Sequence, residues 1–194
     1  MSRKRAFIVA ITAGLLLVGT TTGAAASARV AALFGNGGFE TPRAPQNSFA
    51  NLGTGSAIGP WRVTGGNVDL IGAGYWQAAE GDQSVDLNGV QPGAVSQTFD
   101  TIPGVRYDVG YSIAGNTAAG PVVKTGRALV DGQNFQDFTF DITGRTPAAM
   151  GYVTRAFSFV ATNPTTTLTF ASTTPSSANG PVLDNVTVKP CGCC

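Results

Sequence analysis

Apolar and polar residues alternate most regularly over 107–113, where Tyr107, Val109, Tyr111 and Ile113 share one phase and Asp108, Gly110 and Ser112 take the other. An extended chain sends successive side chains to opposite faces, so this stretch predicts a strand buried on one side. Comparable runs recur at 61–63, 67–71, 84–88, 94–99, 122–130, 135–140, 152–160, 166–172 and 182–188, with Phe138 and Phe140, Phe157 and Phe159, and Leu168 and Phe170 as inward pairs. Gly, Pro and Asn punctuate the runs, as at 91–93 and 102–104, and supply turns. Trp61 and Val63 alternate with Arg62 behind Pro60, which makes Trp61 a core anchor. No helical period, internal repeat or interior boundary is visible between 30 and 188. The pattern predicts an all-β domain, an antiparallel sandwich of roughly nine or ten strands. The Pro-, Asn-, Ser- and Gly-rich stretch 41–59 reads as a long surface loop.

The N-terminus changes the picture of where this domain works. Arg3, Lys4 and Arg5 precede an apolar run over 6–18, and Ala26-Ser27-Ala28 has the small-x-small cleavage pattern. Residues 1–28 are therefore expected to be a secretory signal peptide, leaving a single domain over 29–189 in a secreted, extracellular protein. The apolar run is too short to span a bilayer, so no membrane association is expected after cleavage; an uncleaved anchor is the alternative. Removal of the leader takes three of the twelve basic residues and none of the eleven acidic ones, leaving nine against eleven. Such a balance argues against nucleic-acid binding, which needs a basic surface to neutralise phosphates.

Candidate chemistry is sparse. Histidine is absent, which removes histidine-based triads and histidine metal sites. Asp69, Glu80, Asp82 and Asp86 cluster in sequence and could act as paired carboxylates on a glycosidic bond, but acidic residues on polar loops of β-domains are usually solvated or bind cations. The protein is thus expected not to be an enzyme. In 182–188 the phase of Val182, Val186 and Val188 includes Asp184, which would turn a carboxylate toward an apolar face. A buried carboxylate needs a partner. If Glu40, after the Gly37-Gly38-Phe39 turn, begins the first strand, and if that strand neighbours the last, Glu40 and Asp184 could hold one calcium ion. The alternative is a solvated Glu40 and an Asp184 that accepts backbone hydrogen bonds. Tyr75 and Trp76 are adjacent aromatics in a Gly/Ala-rich connection and cannot both point inward from a regular strand. They are the candidate ligand-binding surface for sugar rings; the alternative has one ring plugging the sandwich and the other lying on the surface. Asn67, Gln77 and Asn88 are further polar candidates without a common face. Cys191, Cys193 and Cys194 all follow Pro190, in a tail over 190–194 expected to be flexible and partly oxidised, with a local Cys191–Cys194 bridge, an intermolecular disulfide or a soft-metal site as its other readings. Asn185-Val186-Thr187 matches a glycosylation acceptor but lies in an expected core strand.

The segments 35–40, 59–61, 67–71, 80–89, 95–99 and 183–186 occur in an order that resembles the bacterial "choice-of-anchor C" proteins and the domain-of-unknown-function 642 proteins of plant cell walls. The resemblance covers nearly the whole mature domain. It implies a jelly-roll sandwich of the galactose-binding-like type, a secreted or cell-wall location, and binding rather than cleavage of polysaccharide. It also implies a structural calcium held through the glutamate of the first motif and the aspartate of the last strand, here Glu40 and Asp184. Members of the anchored group commonly end in a sorting signal; here Cys191-Gly192-Cys193-Cys194 stands in that place. A structural or adhesive surface protein that binds protein partners or itself fits the low charge and the thiol-bearing tail as the competing function.

Overall fold

The computed structural model describes residues 33–175 and 178–191, which form two six-stranded antiparallel sheets without a helix. The expected signal peptide, Cys193 and Cys194 lie outside the described residues. One sheet runs in the order β1 (Phe49–Gly53), β4 (Asn67–Ile71), β5 (Ser84–Asp86), β12 (Pro181–Pro190), β7 (Arg106–Gly115) and β10 (Val153–Val160). The other runs β2 (Ala57–Ile58), β3 (Trp61–Gly65), β6 (Ala94–Asp100), β11 (Thr165–Ser172), β8 (Val123–Val130) and β9 (Gln133–Asp141). This is a jelly-roll sandwich of the galactose-binding-like type.

The core lies between the sheets and is filled by the inward phase of each strand. Trp61, Tyr111, Phe99 and Phe170 are wholly or almost wholly buried, and the Tyr111 and Phe170 rings meet at 4.9 Å between centroids. Each such aromatic removes a large apolar surface from water, the main favourable term for a sheet-on-sheet fold. Trp61 is the expected anchor, and its indole N–H donates to Asn36 O at 3.0 Å.

Four expectations are corrected. The stretch 41–59 carries two strands, β1 and β2, each at the edge of a sheet. Edge strands need only one paired side and one buried phase, so they carry a weak apolar signal. Glu40 does not begin a strand, and the first and last strands are not neighbours: β1 pairs with β4, while β12 lies between β5 and β7. In β12 the register shifts between Asp184 and Thr187, where Asn185 adopts φ 50°. This bulge breaks the period of two, so Asp184 and Val188 fall in opposite phases: Asp184 pairs with Ser112 and Val188 with Val109. The strand also continues through Pro190, and the Cys191 N–H donates to Arg106 O at 2.8 Å, so the expected flexible tail does not start at Pro190.

The side of the β4/β5/β12/β7 sheet turned away from the core is itself covered. The segment 72–83 lays Trp76 over it, with the indole N–H donating to Ser84 Oγ at 2.8 Å. Residues 142–152 adjoin that segment, where Gln77 N donates to Pro147 O and Met150 N to Gln77 Oε1.

Candidate functional site

Two sets of residues meet on that outer face. The first is a clasp around the turn 79–83. Glu40 Oε1 accepts the N–H groups of Asp82 and Gln83, both at 2.8 Å. Asp184 Oδ2 accepts those of Ala79 at 2.7 Å and Glu80 at 3.0 Å, and Asp184 Oδ1 accepts that of Asn185 at 2.6 Å. Gln83 donates to Phe39 O and Pro42 O and accepts from Ala44 N. Val186 N, freed from the ladder by the bulge, donates to Gly37 O at 2.9 Å. A Cβ at Gly37 would overlap the carbonyl of Val186, which explains the glycine. Glu40 and Asp184 are thus brought to one turn. Asp184 is wholly buried, and burial pushes its carboxyl up to about 7, with Glu80 adding in the same direction and the three amides opposing. The bonding matches the reading in which Asp184 accepts backbone hydrogen bonds. Amides aimed at a carboxylate supply the positive partner that a cation would otherwise supply. Among the described residues no group of three or more acidic, cysteine or histidine side chains could hold a metal ion.

The second set lines a cavity of about 260 Å³. Phe49, Tyr75 and Trp76 form its aromatic wall, with Phe49 and Tyr75 meeting edge to face at 5.7 Å and Tyr75 and Trp76 at 5.2 Å. Tyr75 is 40% exposed and Trp76 only 9%, so the pair divides as the alternative reading had it: one ring lies at the surface and the other plugs the sheet. Both nevertheless face the cavity. Asn51 of β1, Asp69 of β4, Asn116 and Asn179 supply its polar groups. Two further depressions, of about 250 and 380 Å³, adjoin Tyr75 and Trp76 and reach Pro147, so the groove passes along both rings.

A buried polar scaffold holds the far wall. Asp86, wholly buried, accepts from Asn88 N at 2.9 Å and Gly180 N at 3.1 Å through Oδ1, and from Asn116 Nδ2 at 2.8 Å through Oδ2. Burial pushes its carboxyl up to about 7 despite those bonds, and Asp69 adds to the rise. Lys124, also wholly buried, donates from Nζ to Ala119 O at 2.8 Å and Asn179 O at 2.9 Å, tying together the two loops that carry Asn116 and Asn179. Desolvation pulls the Lys124 ammonium down, and Asp86 opposes this.

Asn51, Phe49, Asn116 and Asn179 escaped the sequence reading. The first two sit in the stretch taken for a loop, and the others come from connections held by buried Asp86 and Lys124. Of the acidic cluster in sequence, Asp69 and Asp86 become cross-strand partners, whereas Glu80 and Asp82 belong to the clasp turn. Asn67, Gln77 and Asn88 hold loops in place: Asn67 Oδ1 accepts from Val90 N and Gln91 N, Gln77 holds 147–150, and Asn88 donates to Thr174 O.

TmCBM61, solved in complex with β-1,4-galactotriose, superposes with a TM-score of 0.51 at 19% identity over 82% of this chain and 98% of its own. A family 35 carbohydrate-binding module from Clostridium thermocellum aligns over 72% of this chain and 97% of its own, at 13% identity and a TM-score of 0.47. Residues 32–189 match the family described as "Protein of unknown function (DUF642)", and the chain belongs to it. Halomucin of Haloquadratum walsbyi is 30% identical over 191 residues, which are 95% of this chain and 2% of that protein's length.

Proposed function

We propose that the protein is a secreted, non-catalytic module that binds extracellular or cell-wall polysaccharide in the groove beside Tyr75 and Trp76. The observation that carries this reading is the pairing of an aromatic wall with neutral amides. Sugar rings present apolar C–H faces to aromatic rings and hydroxyls to Asn51, Asn116 and Asn179, and sites of this kind combine an apolar lining with a few placed polar groups. A separate apolar depression of about 400 Å³ beside Leu33, Phe34 and Pro190 lacks such amides. Asp69 and Asp86 are not arranged as an exposed acid and base, because Asp86 is wholly buried and bonded to three donors.

Retention of the purified protein on a panel of insoluble wall polysaccharides, with β-galactan included because TmCBM61 was solved with a galactotriose, tests the reading. Retention on one polymer that is lost in Tyr75→Ala supports it. A folded protein retained on none would favour the structural or adhesive alternative, in which the partner is a protein. A calcium ion between Glu40 and Asp184 is a separate proposal. It would use the carboxylate lone pairs that the amides leave, together with backbone carbonyls, and it would stabilise the folded state by mass action. An intermolecular disulfide through the C-terminal cysteines is likewise a proposal, read by comparing the protein's size under reducing and non-reducing conditions.

A further inference from the structure

Asp69 is 8% exposed and faces the 260 Å³ cavity, and among the described residues no Lys, Arg or His lines that cavity or the two depressions that adjoin it. Directly across the ladder from Asp69 stands a second carboxylate, Asp86. Like charges placed opposite one another on a sheet repel, and burial sharpens the repulsion. The cation that interacts with Asp86 is Lys124, but its ammonium is capped by the Ala119 and Asn179 carbonyls and wholly buried, so it presents no charge to the groove. The amide donors are also partly committed: Asn51 Nδ2 donates to Asp69 Oδ1 at 2.7 Å and Asn116 Nδ2 to Asp86 Oδ2 at 2.8 Å. An arriving hydroxyl finds an acceptor in Asp69. An arriving carboxylate or sulfate finds a negative charge in a poorly solvated wall and no counter-ion.

We propose that the groove takes uncharged glycans, and that Asp69 is the specificity-determining residue that rejects sugars bearing a carboxylate or sulfate. The inference rests on the groove being the sugar site.

The test compares binding of the purified protein to β-1,4-galactan, cellulose and methyl-esterified homogalacturonan with binding to the same polymers carrying C6 carboxylates, made by oxidation or de-esterification, at one pH and ionic strength. The expected result is retention on at least one neutral polymer and roughly tenfold or more weaker binding to its carboxylated counterpart. Asp69→Asn should shrink that ratio to within about threefold, and Asn51→Asp, which adds a carboxylate at the same wall, should widen it. Equal or tighter binding of the carboxylated polymer by the wild type overturns the proposal, as does an unchanged ratio in folded Asp69→Asn. Should Asp69→Asn fail to fold, an unchanged ratio in Asn51→Asp overturns it. Absence of binding to every polymer by folded protein removes the sugar-binding reading and this inference with it. Binding that survives Tyr75→Ala undiminished places the sugar elsewhere and overturns the role given to Asp69 while leaving carbohydrate binding in place.

Discussion

Tyr75 and Trp76 are neighbours in the chain with separate duties. The phenol ring of Tyr75 is 40% exposed and contributes little to packing, so Tyr75→Ala should lower polysaccharide affinity by roughly tenfold while changing stability by less than about 1 kcal/mol. Trp76 is 9% exposed and hydrogen-bonded to Ser84, so Trp76→Ala should cost about 3–5 kcal/mol of stability as well as affinity. Affinity electrophoresis and urea unfolding on the two variants separate the effects. Equal loss of stability in both would contradict the division. Adjacency of two aromatics in a Gly-rich connection pointed to residues that line the groove. Which ring stays wet was not legible, because it depends on β5 lying beneath one ring and β1 beside the other.

At the scale of elements, the turn 79–83 is held from two sides by Glu40 and Asp184. Asp184→Ala would leave the N–H groups of Ala79, Glu80 and Asn185, which it accepts in partly buried bonds, without that acceptor, so a loss of about 1–3 kcal/mol in stability overall, read as a fall in the urea midpoint, is expected. The melting temperature with and without a chelator separates the two accounts of the clasp. A drop on chelation supports calcium, whereas no change leaves the amide bonds as the whole of it. Lys124→Met keeps much of the side-chain volume but removes the bonds to Ala119 O and Asn179 O. It should weaken sugar binding several-fold as the far wall loosens, with Tyr75 untouched. The segments that carry the family resemblance are the ones gathered here. Gly35 exchanges bonds with the Gln97 side chain, Asn36 O accepts from Trp61, and Gly37 O accepts from Val186. They fasten the start of the domain to its end, and most of them lie outside the groove.

For the whole molecule, the buried carboxyls set a dependence on pH. Asp86 and Asp184 are pushed from an ordinary value of 3.8 to about 7, and Asp69 rises as well. Between about pH 4 and pH 7 the folded protein retains protons that the unfolded chain releases, so this contribution to stability is fullest below about pH 4 and is lost as pH rises through 7. Urea midpoints measured across that range at constant ionic strength should fall with rising pH, and Asp86→Asn should flatten the slope. A midpoint that rises steadily over the same range would contradict the buried, partly protonated state of Asp86 and Asp184.

The sequence by itself determined the fold class, the inward phase of the central strands, Trp61 as an anchor and the aromatic pair, because period-two alternation and turn residues are local properties. It also brought Glu40 and Asp184 into one argument, although through a neighbouring of strands that the fold does not contain. Only the tertiary structure decided that Asp184 faces three backbone amides, since one bulge at Asn185 reverses the phase of everything after it. Only the tertiary structure set Asp69 opposite Asp86, because strand pairing, and not distance along the chain, makes those carboxylates neighbours. It alone recruited Asn51 from an edge strand and Asn116 and Asn179 from two loops. Those residues carry no periodic signal, and their positions depend on Asp86 and Lys124, which meet only when the sandwich closes.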